Sequence, residues 1–174
     1  MKRVFLMPYD PRWAEEFARE SSLVARAMDD LVVAIHHIGS TAIPGISAKP
    51  IIDMVAAVSD VALLDEKRQE MAALGYEAMG EFGMSGRRYF RKNDRHGNRT
   101  HQVHAFKTGS TQIERHLAFR DFMRTHADHA KLYDALKREL AERYPTDTAS
   151  YTDGKDEFIQ EMDARAATWR HRPT

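Results

Sequence analysis

HHIGSTAIPGISAKPIIDMVAAV, residues 36–58, holds the end of one apolar segment, a Gly-Ser-Thr turn, a Pro-Gly break and a second apolar segment. The β-branched run LVVAIHHI at 31–38 suits a strand. PIIDMVAAV at 50–58 is apolar nearly throughout, as a central strand covered on both faces must be. Asp53 sits inside that second strand, where an unpaired carboxylate is costly, so it needs a cation, an arginine or a set of hydrogen bonds. Gly39, Ser40 and Thr41 form a turn whose N–H and hydroxyl groups can face a phosphate, and Lys49 can add charge. The competing reading is a plain loop whose aspartate bonds backbone groups or makes a structural ion pair. Spacing alone leaves both open, and the Gly-x-x-x-x-Gly-Lys-Ser/Thr pattern of a P-loop is absent.

Outward from this segment the chain alternates element types. Residues 4–9 read as a brief edge strand or extended lead-in. A helix follows, with Asp10 as its cap, Pro11 in its first turn and an apolar face of Trp13, Phe17, Leu23 and Ala27. Residues 60–74 predict a helix closed by Gly75, and 76–106 predict strands in YEAM, RRYFRK and RTHQVHAF separated by Gly-, Asn- and Asp-bearing turns. From about 110 onward three helices are expected, the second with Leu132, Leu136 and Leu140 in the core or an interface and the third over TDTASYTDGKDEFIQEMDARAATW. This order predicts an α+β fold, a mixed sheet flanked by helices, in a single domain spanning 1–174.

Twenty-six basic residues balance 26 acidic ones, so no global field draws the chain to nucleic acid or a membrane, and only a local basic patch could do so. The absence of cysteine excludes disulfides, thiolate catalysis and Cys-based zinc sites. No stretch reaches the roughly 20 apolar residues of a membrane span, and Pro8, Asp10 and Pro11 interrupt the first apolar run; a cytoplasmic protein is expected.

Other candidate residues lie outside the opening segment. His101 and His104 in RTHQVHAF are possible metal ligands by type, but a separation of three sends them to opposite faces of a regular strand. His104 beside Asp53 on a neighbouring strand would make a His/carboxylate site. RRYFRK offers Arg88, on a face that either meets a phosphate or is merely solvated. Arg120, in an apolar helix, can pair near Asp121 or with Asp53, or reach a ligand phosphate. Tyr151 and Lys155, four apart, put a lysine where it can meet an anion, although a lysine on a terminal helix is usually solvated.

HIGSTAIPGISAKPIIDM resembles the signature segment of the GrpB family, which is classed with the nucleotidyltransferase-like superfamily. The similarity continues through RRYFRK, HQVH, HLAFRDFMRTH, LYDALKRELAERY and SYTDGKDEFI, nearly the whole chain. The resemblance implies a nucleotidyltransferase-like core in which a Gly-Ser turn holds a nucleotide's triphosphate or another phosphorylated ligand. It also implies a carboxylate pair two residues apart that binds two Mg2+ or Mn2+ ions, about 3.5–4 Å apart, with a third carboxylate on a later strand. Gly39, Ser40 and Asp53 match, Asp53 as the catalytic and metal-binding member, and the resemblance sets the strand of Arg88 along the cleft. Val55 stands where the second carboxylate belongs, and alternation gives 53 and 55 the same face, so Met54 cannot replace it. Three readings follow: a nucleotidyltransferase, a non-catalytic binding or folding-accessory module with a protein partner, and a single-metal site on Asp53 and His104. The accessory reading draws on GrpB-like domains that resemble parts of chains carrying a dephospho-CoA kinase.

Overall fold

The computed structural model describes residues 3–171. Helix α1, Arg12–Met28, starts where Asp10 accepts a hydrogen bond from the Arg12 N–H at 3.0 Å. It buries Trp13, Glu20, Val24 and Met28, with Phe17 half-buried on the same stripe. Leu23, expected on that face, is only partly covered, because Val24 continues the helical spacing from Trp13 and Glu20. A short turn at Asp29–Leu31 delays the first strand, so β1 is Val32–Ile38.

Strand β2, Ile52–Val58, is followed by a 3-10 turn at Ala62–Lys67 and helix α2, Arg68–Ala73. The single helix expected over 60–74 is therefore split, and Gly75 closes it at φ +90°. Strands β3 (Tyr76–Ala78), β4 (Arg87–Asn93) and β5 (Arg99–Lys107) complete a five-stranded mixed sheet of order β1-β2-β5-β4-β3. Its neighbours are antiparallel except β2 and β5, which run parallel in the middle. Of the 4–9 lead-in, Met7 bridges Ala48 with two backbone hydrogen bonds.

Alternation gives the sheet two different faces. Ile52, Met54, Ala56 and Val58 join Phe90, Val103 and Ala105 beneath α1 and α2. On the opposite face, Val55, Ala57 and Phe106 pack with Ile38 and with Ile113 of α3, Thr111–Thr125. That apolar patch stops at Asp53, which lies at the strand end and is only partly covered.

Helices α4 (Ala127–Arg143), α5 (Thr148–Asp153) and α6 (Asp156–Arg170) follow. The expected third helix is thus two. The break falls at Gly154, where an added Cβ would lie 2.6 Å from Leu140 Cδ2, so glycine lets α5 close on α4 without displacing the Leu140 side chain. Of the leucine stripe on α4, Leu140 is buried and Leu132 is 60% exposed, which leaves only part of it in the core. No helix among the described residues is long and apolar enough to cross a membrane.

The helices also hold the loop between β1 and β2. Ile43 and Ile46 insert among Phe122, Met123, Tyr133 and Met162. Arg120 donates to the His37 carbonyl at 3.0 Å and Arg124 to that of Ala42 at 2.7 Å. Asp134 accepts from the Ser47 N–H at 2.7 Å, while Lys137 donates to the Ser47 carbonyl. The Gly-Ser-Thr turn is fixed from both sides.

Candidate functional site

Gly39 leads out of β1 at φ +74°, a conformation that favours glycine. A Cβ there would lie 2.7 Å from Asp53 Oδ2. The close approach that glycine permits is therefore to Asp53, and the turn and the carboxylate are packed as one unit. Thr41 is spent inside this unit: its hydroxyl donates to the Ile51 carbonyl at 3.0 Å and meets His37 Nε2 at 2.9 Å. With its proton committed to Ile51, Thr41 accepts from a protonated Nε2 of His37. Burial holds the His37 pKa down at about 4, so the ring is neutral, and it stacks on Phe17 with centroids 4.8 Å apart. Ser40 remains half-exposed at the mouth of the turn, against Tyr133.

Ser40, Thr41, Lys49 and Asp53 line one cleft of about 560 Å³ with Arg99, Gln102, Lys137, Tyr151 and Lys155. Lys49 and Lys155 each place an ammonium 4.6 Å from the centre of the Tyr151 ring. The break at Gly154 makes this possible, by ending α5 and setting Lys155 just before α6. Burial lowers the Lys155 pKa to about 8, and the neighbouring Lys49 charge pushes the same way while Asp53 opposes it. Lys49 is also lowered by burial, again against the pull of Asp53. Lys137 is 2% exposed and burial takes it to about 7. Arg99 donates to the Tyr89 hydroxyl at 2.8 Å, which donates to Gln102 Oε1 at 2.9 Å. Gln102 stands opposite Asp53 in the parallel register. The lining thus carries four cationic side chains against one carboxylate.

The other expected site residues lie elsewhere. His104 shares the face of Asp53, with Nε2 3.9 Å from Oδ1, between the rings of Tyr89 and His116. His101 points through the sheet to the α1 side, because three residues along a regular strand reverse the face. There it meets Glu16 at 3.0 Å, near Glu20, which is bound by Lys92 at 2.7 Å. His101 and Asp53 therefore share no centre. Arg88 also projects to that side and is taken up by Asp65 at 3.0 Å; the cleft face of β4 carries Tyr89 instead. Arg120 pairs with Asp121 at 2.7 Å and holds the β1–β2 loop through His37, rather than lining the cleft.

Arg99, Gln102 and Lys137 are lining residues that the sequence reading did not single out. Lys137 had a signal: Tyr133, Lys137 and Leu140 fall on one buried stripe, and a lysine in an apolar stripe must have an internal partner.

The donor set does not fit a pair of metal ions. Val55 is fully buried among Ile38, Ala57, Phe106 and Ile113. Strand β5, next to Asp53, presents Gln102 and His104 on that face and contains no carboxylate. Among the described residues, the group of three or more close His, Asp or Glu donors is Glu16, Glu20 and His101, on the far side of the sheet. Among the described residues no third His, Asp or Glu joins Asp53 and His104 in such a group.

Comparison with known proteins fits this architecture. Over its whole length the Enterococcus faecalis GrpB crystal structure superposes on 97% of this chain with a TM-score of 0.92 and 38% identity. Poly(U) polymerase Cid1, solved also with the UTP analogue UMPNPP and with its product ApU, shares the fold at a TM-score of 0.52 and 14% identity, over 79% of this chain and 43% of Cid1. The UPF0157 protein YqkA of Bacillus subtilis is 42% identical over 170 residues, 97% of this chain; the chain spans about half of that relative, 49% of its length. The family model described as GrpB protein matches residues 3–165, and the chain belongs to the GrpB family.

Proposed function

We propose that this GrpB protein is a cytoplasmic, nucleotidyltransferase-like protein that binds a nucleotide or another phosphorylated ligand in the cleft beside Asp53. The observation that carries the reading is the convergence of Lys49, Arg99, Lys137 and Lys155 with the Ser40 turn on one concave surface. Partly desolvated ammonium groups on a shared tyrosine repel one another, and an anion between them relieves that repulsion. The fold shared with Cid1, a protein solved with a UTP analogue, makes a nucleoside phosphate the first class to test. A Mg2+ or Mn2+ ion would find Asp53 as its one carboxylate. Val55 favours binding without transfer, which keeps a folding-accessory or sensing role with a protein partner as the form the function takes if no turnover is found.

The test is a thermal-shift screen of nucleotides, pyrophosphate and sugar phosphates with and without Mg2+ or Mn2+. A ligand at about a hundred times its Kd should raise Tm by roughly 5 °C or more. Lys155→Ala should weaken binding at least about tenfold, the usual loss with one charge-assisted hydrogen bond. A screen with no shift from any phosphorylated compound overturns the reading. Labelled triphosphates then separate a transferase from a binding module.

A further inference from the structure

We infer that the cleft holds contiguous phosphates through the fixed cations Lys49, Lys155 and Arg99, without a divalent ion, and that Asp53 is the counter-charge of the empty cleft rather than a metal ligand. This rests on the phosphorylated-ligand reading above and specifies its chemistry.

Three observations converge. Position 55, which must be acidic for a metal pair, is a valine sealed in an apolar cluster, and β5 adds no carboxylate beside Asp53. The positive charge that metal ions supply at such a site is already present in side chains, since four cations line the cleft with Asp53. Asp53 lines the same cleft as Lys49 and Lys155, and its charge opposes the burial that lowers both, so the carboxylate stands in the field of two ammonium groups. A divalent cation at Asp53 would have to displace or face those groups. Like charges at short range in a partly desolvated cleft exclude each other.

Asp53 then has a different task from metal ligation. Without it, Lys49 and Lys155 would repel across Tyr151 with no compensating charge. With it, the empty cleft is partly neutralised. The carboxylate sits close against the turn because Gly39, lacking a side chain, leaves room for Oδ2. Three cations on separate elements, a surplus of two charges over Asp53, suit a pyrophosphate or nucleoside di- or triphosphate better than a single phosphate group, because each phosphate can meet its own cation.

Calorimetry with pyrophosphate, inorganic phosphate and a nucleoside triphosphate decides this, on the wild type in EDTA and in Mg2+. Affinity for the triphosphate in EDTA should stay within about threefold of the Mg2+ value. Pyrophosphate should bind about tenfold tighter than phosphate, as one more charged contact gives. Asp53→Asn keeps the shape beside Gly39 and removes the competing carboxylate, so it should bind the triphosphate at least as tightly as the wild type. The double variant Lys49→Ala, Lys155→Ala should lose about a hundredfold or more. Binding that requires Mg2+ and is lost in Asp53→Asn overturns the inference while leaving the phosphorylated-ligand reading standing. No binding in either buffer overturns both. The EDTA comparison uses the unaltered protein, so the outcome does not depend on any variant folding.

Discussion

Strand β5 serves two charge clusters of opposite design. On the α1 side, His101 joins Glu16, Glu20 and Lys92, where each carboxylate has a basic partner: Arg19 and His101 for Glu16, Lys92 for Glu20. On the other side, Gln102 adjoins Asp53, which faces more cations than it can balance. The first cluster is closed and holds α1 to the sheet. The second is open and carries surplus charge of one sign. Titratable residues near one another do not by themselves mark a site; an uncompensated charge balance on a concave surface does.

The largest effect should come from breaking the closed cluster. Glu20 is 3% exposed. Burial alone would raise its pKa, but the hydrogen bond from Lys92 and the nearby positive charge hold it below the usual carboxylate range. Glu20→Ala strands the Lys92 ammonium, and removal of one partner of a buried pair costs about 3 kcal/mol. Urea unfolding should show that loss while triphosphate affinity stays unchanged. A loss under about 1 kcal/mol would mean that the pair is solvated and the two clusters are less different than their geometry indicates.

The second prediction sets the open cluster against pH. Burial holds Lys155 at about 8 and Lys137 at about 7 in the folded protein. Lysine in an unfolded chain titrates near about 10.4. Between these values the unfolded chain binds more protons than the folded one, so these two groups make the ligand-free protein more stable as pH rises from about 7 to 10. Anion binding has the opposite sign, because it needs the ammonium form. The protonated fraction of Lys155 falls about tenfold from pH 7 to pH 9, and triphosphate affinity should fall with it. The groups that set Lys155 are Lys49, Asp53 and Asp156, and those that set Lys137 are Asp134, Lys155 and Arg138. Opposed slopes in Tm and affinity are the signature; parallel slopes would show that the lysines do not hold the anion.

How far the sequence carries depends on how local each feature is. β2 was legible because a nearly unbroken apolar run has one place in a mixed sheet, the middle, and the Gly39–Ser40 turn with Asp53 is encoded within 15 residues. The split of the terminal helix was not legible, because Gly154 acts through contact with Leu140, fourteen residues back. That split decides where Lys155 points. Arg88 was unreadable for a related reason: in RRYFRK both faces carry cations, and the acid that takes up Arg88 lies 23 residues away. For Arg120 the pairing with Asp121, one of its three readings, is local and holds, whereas its other partner, the His37 carbonyl, leaves no mark in side-chain chemistry that would set it apart from a phosphate ligand.

The smallest predicted effect sharpens the contrast across the sheet with two arginines. Arg88 on β4 points to the α2 side and pairs with Asp65, which is well exposed. Arg99 on β5 lines the cleft and has the Tyr89 hydroxyl and the Asn93 side chain as its partners. Arg88→Ala breaks a bridge at the surface, so stability should fall by about 0.5 to 1 kcal/mol, and triphosphate affinity should not move. Among the described residues Arg99→Ala breaks no ion pair, yet it should weaken the triphosphate severalfold, because a guanidinium bound to the neutral Tyr89 and Asn93 groups keeps its charge for an incoming anion. Calorimetry and urea unfolding on the two variants give a crossed pattern if the surplus charge is confined to the Asp53 face. If Arg88→Ala also weakens the ligand, the positive field extends through both faces of β4, and the division between a closed and an open cluster fails at that strand.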